Sequence, residues 1–186
     1  MAVQDILNDA EHRMQSALDA MKHDFSTYRT GRASPAVLER VHVEYYGVET
    51  PISQIANVSI PEPRQLLIQP YDKHMTPTIE RAILKSDLGI NPVNDGSGIR
   101  LTFPQMTEER RKDMVKQVHS RTELGRVAIR NVRRDAIEHL KALEKKKEIT
   151  EDDVKANEAK IQKITDSSIT KAEDLGKAKE AELMAV

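Results

Sequence analysis

The chain of 186 residues has no cysteine and no tryptophan, and aromatic residues make up only 3% of it. Without cysteine there is no disulfide framework, no thiol nucleophile and no thiolate zinc site. So few aromatic rings argue against a ring-lined ligand pocket and for a thin core. No apolar run approaches the ~18 residues of a transmembrane helix, and Asp5 and Asp9 stand where a secretory signal would be apolar. An excess of one charge is missing too: 29 Lys and Arg face 30 Asp and Glu, net −1, so the whole chain is neither a basic tail nor an acidic tract. Charge itself is plentiful, at 32% against about 25% in an average domain, as in exposed amphipathic helices. These limits predict a soluble, cytoplasmic, membrane-free protein of one ordinary or two small domains.

Three stretches differ in period. Ile6, Ala10, Met14, Ala17, Met21, Phe25 and Tyr28 recur at helical spacing and predict a first helix that halts at Thr30-Gly31. From Gly31 to Pro104 that stripe is gone, and all eight prolines lie there. Val41–Tyr46 alternates into Gly47, and Asn57–Ile60, Leu66–Ile68 and Ile99–Phe103 read as further short strands. Thr76-Pro77 reads as a cap and first turn, with Ile79, Ile83 and Leu84 forming a helical face that ends near Gly89. Helical order returns after Thr107, where Val115, Val118, Thr122, Gly125, Ile129, Val132, Ala136, Leu140 and Leu143 alternate in steps of three and four. Thr150-Glu-Asp-Asp153 opens a last helix with Val154, Ile161, Ile164, Ser168, Ala172 and Leu175 inward. Gly176 inside it costs about 0.5–1 kcal/mol against alanine and leaves open whether the helix runs through.

No long helix can bury its stripe alone. The predicted class is therefore α+β: a three-helix bundle (1–30 and 105–186) with a small β/α/β domain (31–104) inserted. Two linkers, near 30–32 and 103–105, would join them, with Thr30, Gly31, Phe103, Pro104 and Gln105 as hinge residues.

Catalytic chemistry finds little support. The six histidines have no metal-ligand spacing, and no phosphate-binding glycine loop is present. Asp95-Gly-Ser-Gly98 reads as a turn, and His42, Asp72 and His74 have no obligatory mutual geometry. The distribution of charge says more. Residues 105–147 carry 13 basic and 7 acidic groups, whereas residues 148–186 carry 6 and 10. At about 100° per residue, Lys112, Lys116, Arg126, Arg130, Arg133, Arg134 and Lys141 share one arc beside the apolar seam, with Glu123 as the acid among them. One reading is a solvated face with ordinary salt bridges to neighbouring helices; the other, since an arginine-rich face short of acids suits phosphate better than intrahelical pairing, is docking on structured RNA or another polyanion. Arg29-Thr-Gly-Arg-Ala-Ser-Pro35 reads as a helix stop followed by a Ser-Pro start. Its flanking arginines fit a hinge that also touches the polyanion. The competing readings are a coiled-coil adaptor that binds through its seam and, far behind, a hydrolase in the α+β module.

Five blocks in this order resemble the bacterial ribosome recycling factor family: Arg29–Pro35, Glu44-Tyr-Tyr-Gly47, Ser86-Asp-Leu-Gly-Ile-Asn-Pro92, Thr107-Glu-Glu-Arg-Arg-Lys112 and Arg130-Asn-Val-Arg-Arg-Asp-Ala136. The ending Lys179–Met184 is similar too. The resemblance implies an L-shaped, monomeric, non-enzymatic molecule without a cofactor of its own. It implies binding to the post-termination ribosome, mainly through the bundle on large-subunit rRNA. Elongation factor G with GTP would then drive dissociation into subunits that can re-enter initiation. Arg130, Arg133 and Arg134 fall in the matching arginine block, and Arg29 and Arg32 in the matching hinge block. Arg126 and Lys112 join the expected rRNA-binding set through the helical arc.

Overall fold

The computed structural model describes residues 2–28 and 30–185. Two units emerge: Met1–Tyr28 with Glu108–Ala185, and Arg29–Thr107. The first holds three helices, α1 (Val3–Ser26), α4 (Glu108–Lys145) and α5 (Glu151–Met184). The second holds β1 (His42–Tyr45), β2 (Val48–Pro51), α2 (Ile52–Ile55), β3 (Ala56–Glu62), β4 (Gln65–Pro70), α3 (Thr76–Lys85), β5 (Val93–Asn94) and β6 (Ile99–Thr102), with short 3-10 turns at Pro35–Leu38 and Lys73–Met75.

In the bundle the seam of α4 is buried along its length, from Met114 through Val118, Thr122, Gly125, Ile129, Val132, Ala136 and Leu140 to Leu143. Only its first residue differs from the expected stripe, Met114 taking the place of Val115. The seam is used up on the chain's own helices, which leaves the adaptor reading without its binding surface. On α1, Leu18 is buried in place of Ala17, because the step from Met14 is four and then three. That helix also stops earlier than expected. Ser26 and Thr27 donate their hydroxyls to the carbonyls of His23 and Asp24 at 2.6 and 2.7 Å and compete with the next turn. On α5, Thr165 and Gly176 face inward in place of Ile164 and Leu175. Small residues there let the helices approach closely. A Cβ on Gly176 would overlap Thr122, and one on Gly125 would overlap the Met21 side chain. Gly176 thus does not interrupt α5; it makes room for α4. The buried hydroxyls of Thr122 and Thr165 donate to the carbonyls of Val118 and Ile161 in their own helices, so neither is left unsatisfied. Thr150 caps α5 as expected, in a reciprocal pair with Asp153 whose two bonds measure 2.9 and 3.1 Å. These bonds from Thr150 hold the Asp153 carboxyl below its ordinary pKa.

The inserted unit has one two-stranded sheet, β1–β2, and one four-stranded sheet in the order β3-β4-β6-β5, every pairing antiparallel. In the larger sheet Leu66 faces Leu101 and Ile68 faces Ile99, all four fully buried. Ile79 and Ile83 of α3 join them in the core. Each such side chain is worth about 1.5–3 kcal/mol when removed from water. Leu84, expected on that face, is 58% exposed. The start of α3 is also shifted: Met75 precedes the helix, Thr76 and Pro77 are inside it, and Asp72 caps the preceding 3-10 turn by accepting from the His74 amide at 3.0 Å. The β1–β2 turn uses Tyr46 and Gly47 at φ 49° and 79°, the left-handed pair of a tight hairpin. Asp95–Gly98 is the turn between β5 and β6, and a Cβ on Gly98 would strike the Ile68 carbonyl.

Substituting Gly176→Ala removes a helix-interior glycine, which alone would add up to about 1 kcal/mol. Because the new methyl collides with the β-branched Thr122, we expect instead a net loss of about 1–3 kcal/mol in denaturant unfolding. Adding Thr122→Ala should recover part of that loss, and simple stabilisation by Gly176→Ala would overturn the close-approach account.

Candidate nucleic-acid interface

The seam sets the rotation of α4 and so decides where its cations point. Arg121 and Asp135 reach α1, pairing with Asp24 and Arg13 at 2.5 and 3.0 Å. His119, Arg126 and Arg133 lie on the side toward α5, where they meet Glu180, Glu173 and Gln162. Arg126, Arg130, Arg133 and Arg134 therefore line the α5 side and the outer face of α4 over little more than two turns.

These arginines are not equivalent. Arg126 pairs with Glu123 at 2.7 Å and with Glu173 at 3.3 Å, and the Glu123 bond first of all raises its pKa above the ordinary arginine value. Arg130 reaches the same Glu123 at 3.5 Å. The expectation of poor pairing along the arc is thus corrected. One carboxylate within it, and a second from 47 residues away, engage two of the four arginines. Among the described residues Arg133 donates only to the neutral Gln162, at 3.2 Å. Arg134 is exposed, with no ion pair among the described residues. The outer face also carries Leu124 and Val127, 62% and 42% exposed. These apolar residues stand off the stripe, ten and seven positions before Arg134, a signal the sequence contains and the charge pattern alone passes over.

Lys112 does not join this group. It sits at the start of α4, 73% exposed and paired with Glu108 at 3.5 Å, fourteen residues before Arg126 and about 20 Å along the axis. Arg32 lies in the inserted unit, exposed, its amide donating to the Thr30 hydroxyl at 3.4 Å. Arg29 is outside the described residues. Of the expected hinge set, Thr30 is buried and Gly31 holds φ 80°. Phe103 belongs to the core of the inserted unit, and its amide donates to the Arg64 carbonyl at 2.8 Å. Pro104 and Gln105 are exposed and lie in the segment without regular structure before α4. Among the described residues no three His, Asp or Glu are placed to share a metal ion.

The structure is thus of the α+β class, a helical scaffold with guanidinium groups on one face of α4 and a small unit inserted in the chain. Comparison with known proteins makes the class specific. The family model for ribosome recycling factor matches residues 21–184. The ribosome-recycling factors of Clostridium novyi and Carboxydothermus hydrogenoformans are each 52% identical over 184 residues, covering 99% of this chain and all of theirs. A solution structure of the ribosome recycling factor superposes with a TM-score of 0.78 at 42% identity, over 100% of this chain and 99% of that one. A second solved relative, at 46% identity and TM-score 0.65 over 98% and 99% of the two chains, is the T. thermophilus ribosome recycling factor in models where it and E. coli elongation factor G are bound to the E. coli post-termination complex. The chain belongs to the ribosome recycling factor family. It is a non-enzymatic translation factor of ribosome recycling.

The pairs around Arg126 are partly exposed, and such bridges contribute about 0–1 kcal/mol each. Neutralising both acids, Glu123→Gln with Glu173→Gln, should therefore lower the unfolding free energy by no more than about 1–2 kcal/mol. A much larger loss in urea titration would mean that these arginines hold the bundle together and cannot turn to an outside ligand.

Proposed function

We propose that the chain binds the post-termination ribosome through the outer arginine face of α4 against large-subunit rRNA, and that elongation factor G with GTP then promotes dissociation into subunits ready for initiation. Nucleotide hydrolysis belongs to that partner, and this chain needs no cofactor of its own. The observation that carries the reading is the pair Arg133 and Arg134, two guanidinium groups without a carboxylate partner among the described residues, on a protein of net charge −1. Planar forks of this kind take phosphate oxygens bidentately, and their release of counterions makes binding salt-dependent. Arg130 and Arg126 extend the face where Glu123 lets them go. Arg29 and Arg32 add cations in the linker block, and Lys112 is a peripheral contact at most. The factor acts in the cytoplasm as a monomer.

The direct test is light scattering of post-termination ribosomes mixed with this protein, elongation factor G and GTP, each omitted in turn. Splitting should require all three, and splitting without the protein or without the partner defeats the proposal. Charge reversal, Arg133→Glu with Arg134→Glu, should weaken ribosome binding at least tenfold and lower the salt slope by about two, helicity unchanged. Unchanged affinity would remove this face from the interface.

The linkers are proposed to let the inserted domain move relative to the bundle. Gly31 holds a left-handed backbone that proline, fixed near φ −65°, does not adopt. Gly31→Pro should depress splitting severalfold while leaving ribosome affinity nearly intact. Normal splitting would show that the conformation at this point does not matter.

A further inference from the structure

We propose that a groove of about 500 Å³ on the inserted unit, between β1 and α3, holds the phosphate backbone of RNA. The groove comes from two periodicities. Strand alternation turns Val41 and Val43 into the core and leaves Arg40, His42 and Glu44 outside. On α3, Thr78, Arg81 and Lys85 follow at steps of three and four and form the facing wall. Three of the seven Lys and Arg between residues 30 and 104, a stretch with eight acids, thus meet in one concavity.

Arg40, Arg81 and Lys85 are all exposed and form no ion pair among the described residues. The one bond to an arginine head runs from Arg81 Nε to the Pro77 carbonyl at 3.3 Å, which steadies the guanidinium and leaves its two Nη groups open. What sets these three apart is their convergence on one concavity, in a unit whose acids outnumber its bases. Concave surfaces lined by one sign of charge focus the field and favour a counter-charged ligand. Glu44 is the single acid of the lining and subtracts from that potential.

The chemistry favours a phosphate chain over an acidic protein segment. Peptides dock through apolar or aromatic anchors in pockets, and here the lining has no aromatic residue and its two valines are only 5% and 3% exposed. Hydroxyl, guanidinium and ammonium groups in a row match successive phosphates and 2′-hydroxyls. The site shares no residue with α4 and stands or falls without it.

The test uses the full-length protein with Arg133→Glu and Arg134→Glu already introduced, so that α4 contributes little. A fluorescein-labelled RNA duplex of arbitrary sequence is titrated by anisotropy across a potassium chloride series. This parent should still bind in a salt-dependent way. Adding Arg40→Ala, Arg81→Ala and Lys85→Ala should weaken binding at least tenfold at low salt and reduce the salt slope by about two to three. All three side chains are exposed, and unchanged circular dichroism confirms the fold. Equal binding by parent and triple variant, or no binding by the parent, overturns the proposal. So does displacement of the duplex by poly-glutamate as effectively as by unlabelled RNA, which would reassign the groove to acidic protein. A failure of the α4 face in ribosome binding leaves this result untouched.

Discussion

The close approach of three helices at small seam residues is the constraint on which the rest of the bundle depends. Gly125 of α4 receives Met21 of α1, and Gly176 of α5 receives Thr122 of α4. These two contacts pin α4 from both sides and leave it one rotation about its axis. At about 100° per residue, a shift of a single position would move Arg126 or Arg130 into the seam and expose Ile129. Burying an unpaired guanidinium costs several kcal/mol, whereas the seam residues gain from every contact they make. The packing of the core thus determines which cations face outward, with no need for the cations themselves to stabilise anything.

Within that fixed geometry, carboxylates sort the arginines. Glu123 engages Arg126 and Arg130, Glu173 adds to Arg126, and only Gln162 stands by Arg133. Charge-assisted bonds of this strength have to be broken before an outside phosphate can take their place, so the four residues form a graded series. On the proposed reading Arg134 and Arg133 act first and Arg126 last. Helical angle alone would have ranked Arg126 beside Arg133, since they are neighbours on the wheel.

Much of the bundle was legible because one period, sustained over four heptads of α4, admits few other solutions. The errors have local causes. Ala17 against Leu18, and Ile164 against Thr165, are single-step phase slips where an apolar residue also lies beside the stripe, and apolarity alone cannot choose between them. Gly176 looked like an interruption because its propensity is visible in sequence and the Thr122 side chain that requires it is not. In the inserted unit β2 went unseen, since Val48–Pro51 carries one strongly apolar residue and depends on β1 for its hydrogen bonds. Phe103 read as linker because a strand end and a linker share the same composition, and only its burial distinguishes them. The candidate interface was legible as a row of angles. Its pairing was not, because Glu173 comes from another helix, nor was the groove formed by residues 40–44 and 78–85, which share no motif.

A net charge of −1 and two local clusters of cations fit together once screening is considered. At physiological salt a charge is felt over roughly 8–10 Å, so a ligand near Arg134 senses the arginines around it and little of the acidic surplus of the last helix. A distant polyanion meets a nearly neutral protein. Such a molecule has weak long-range attraction to nucleic acid in general and strong short-range attraction where shape brings phosphates to the right groups. On the proposed reading, in which the factor binds one assembly among abundant RNA and then leaves it, that combination is more useful than a uniformly basic surface. A basic surface would raise affinity for every RNA alike, because its gain in counterion release carries no information about which RNA is bound.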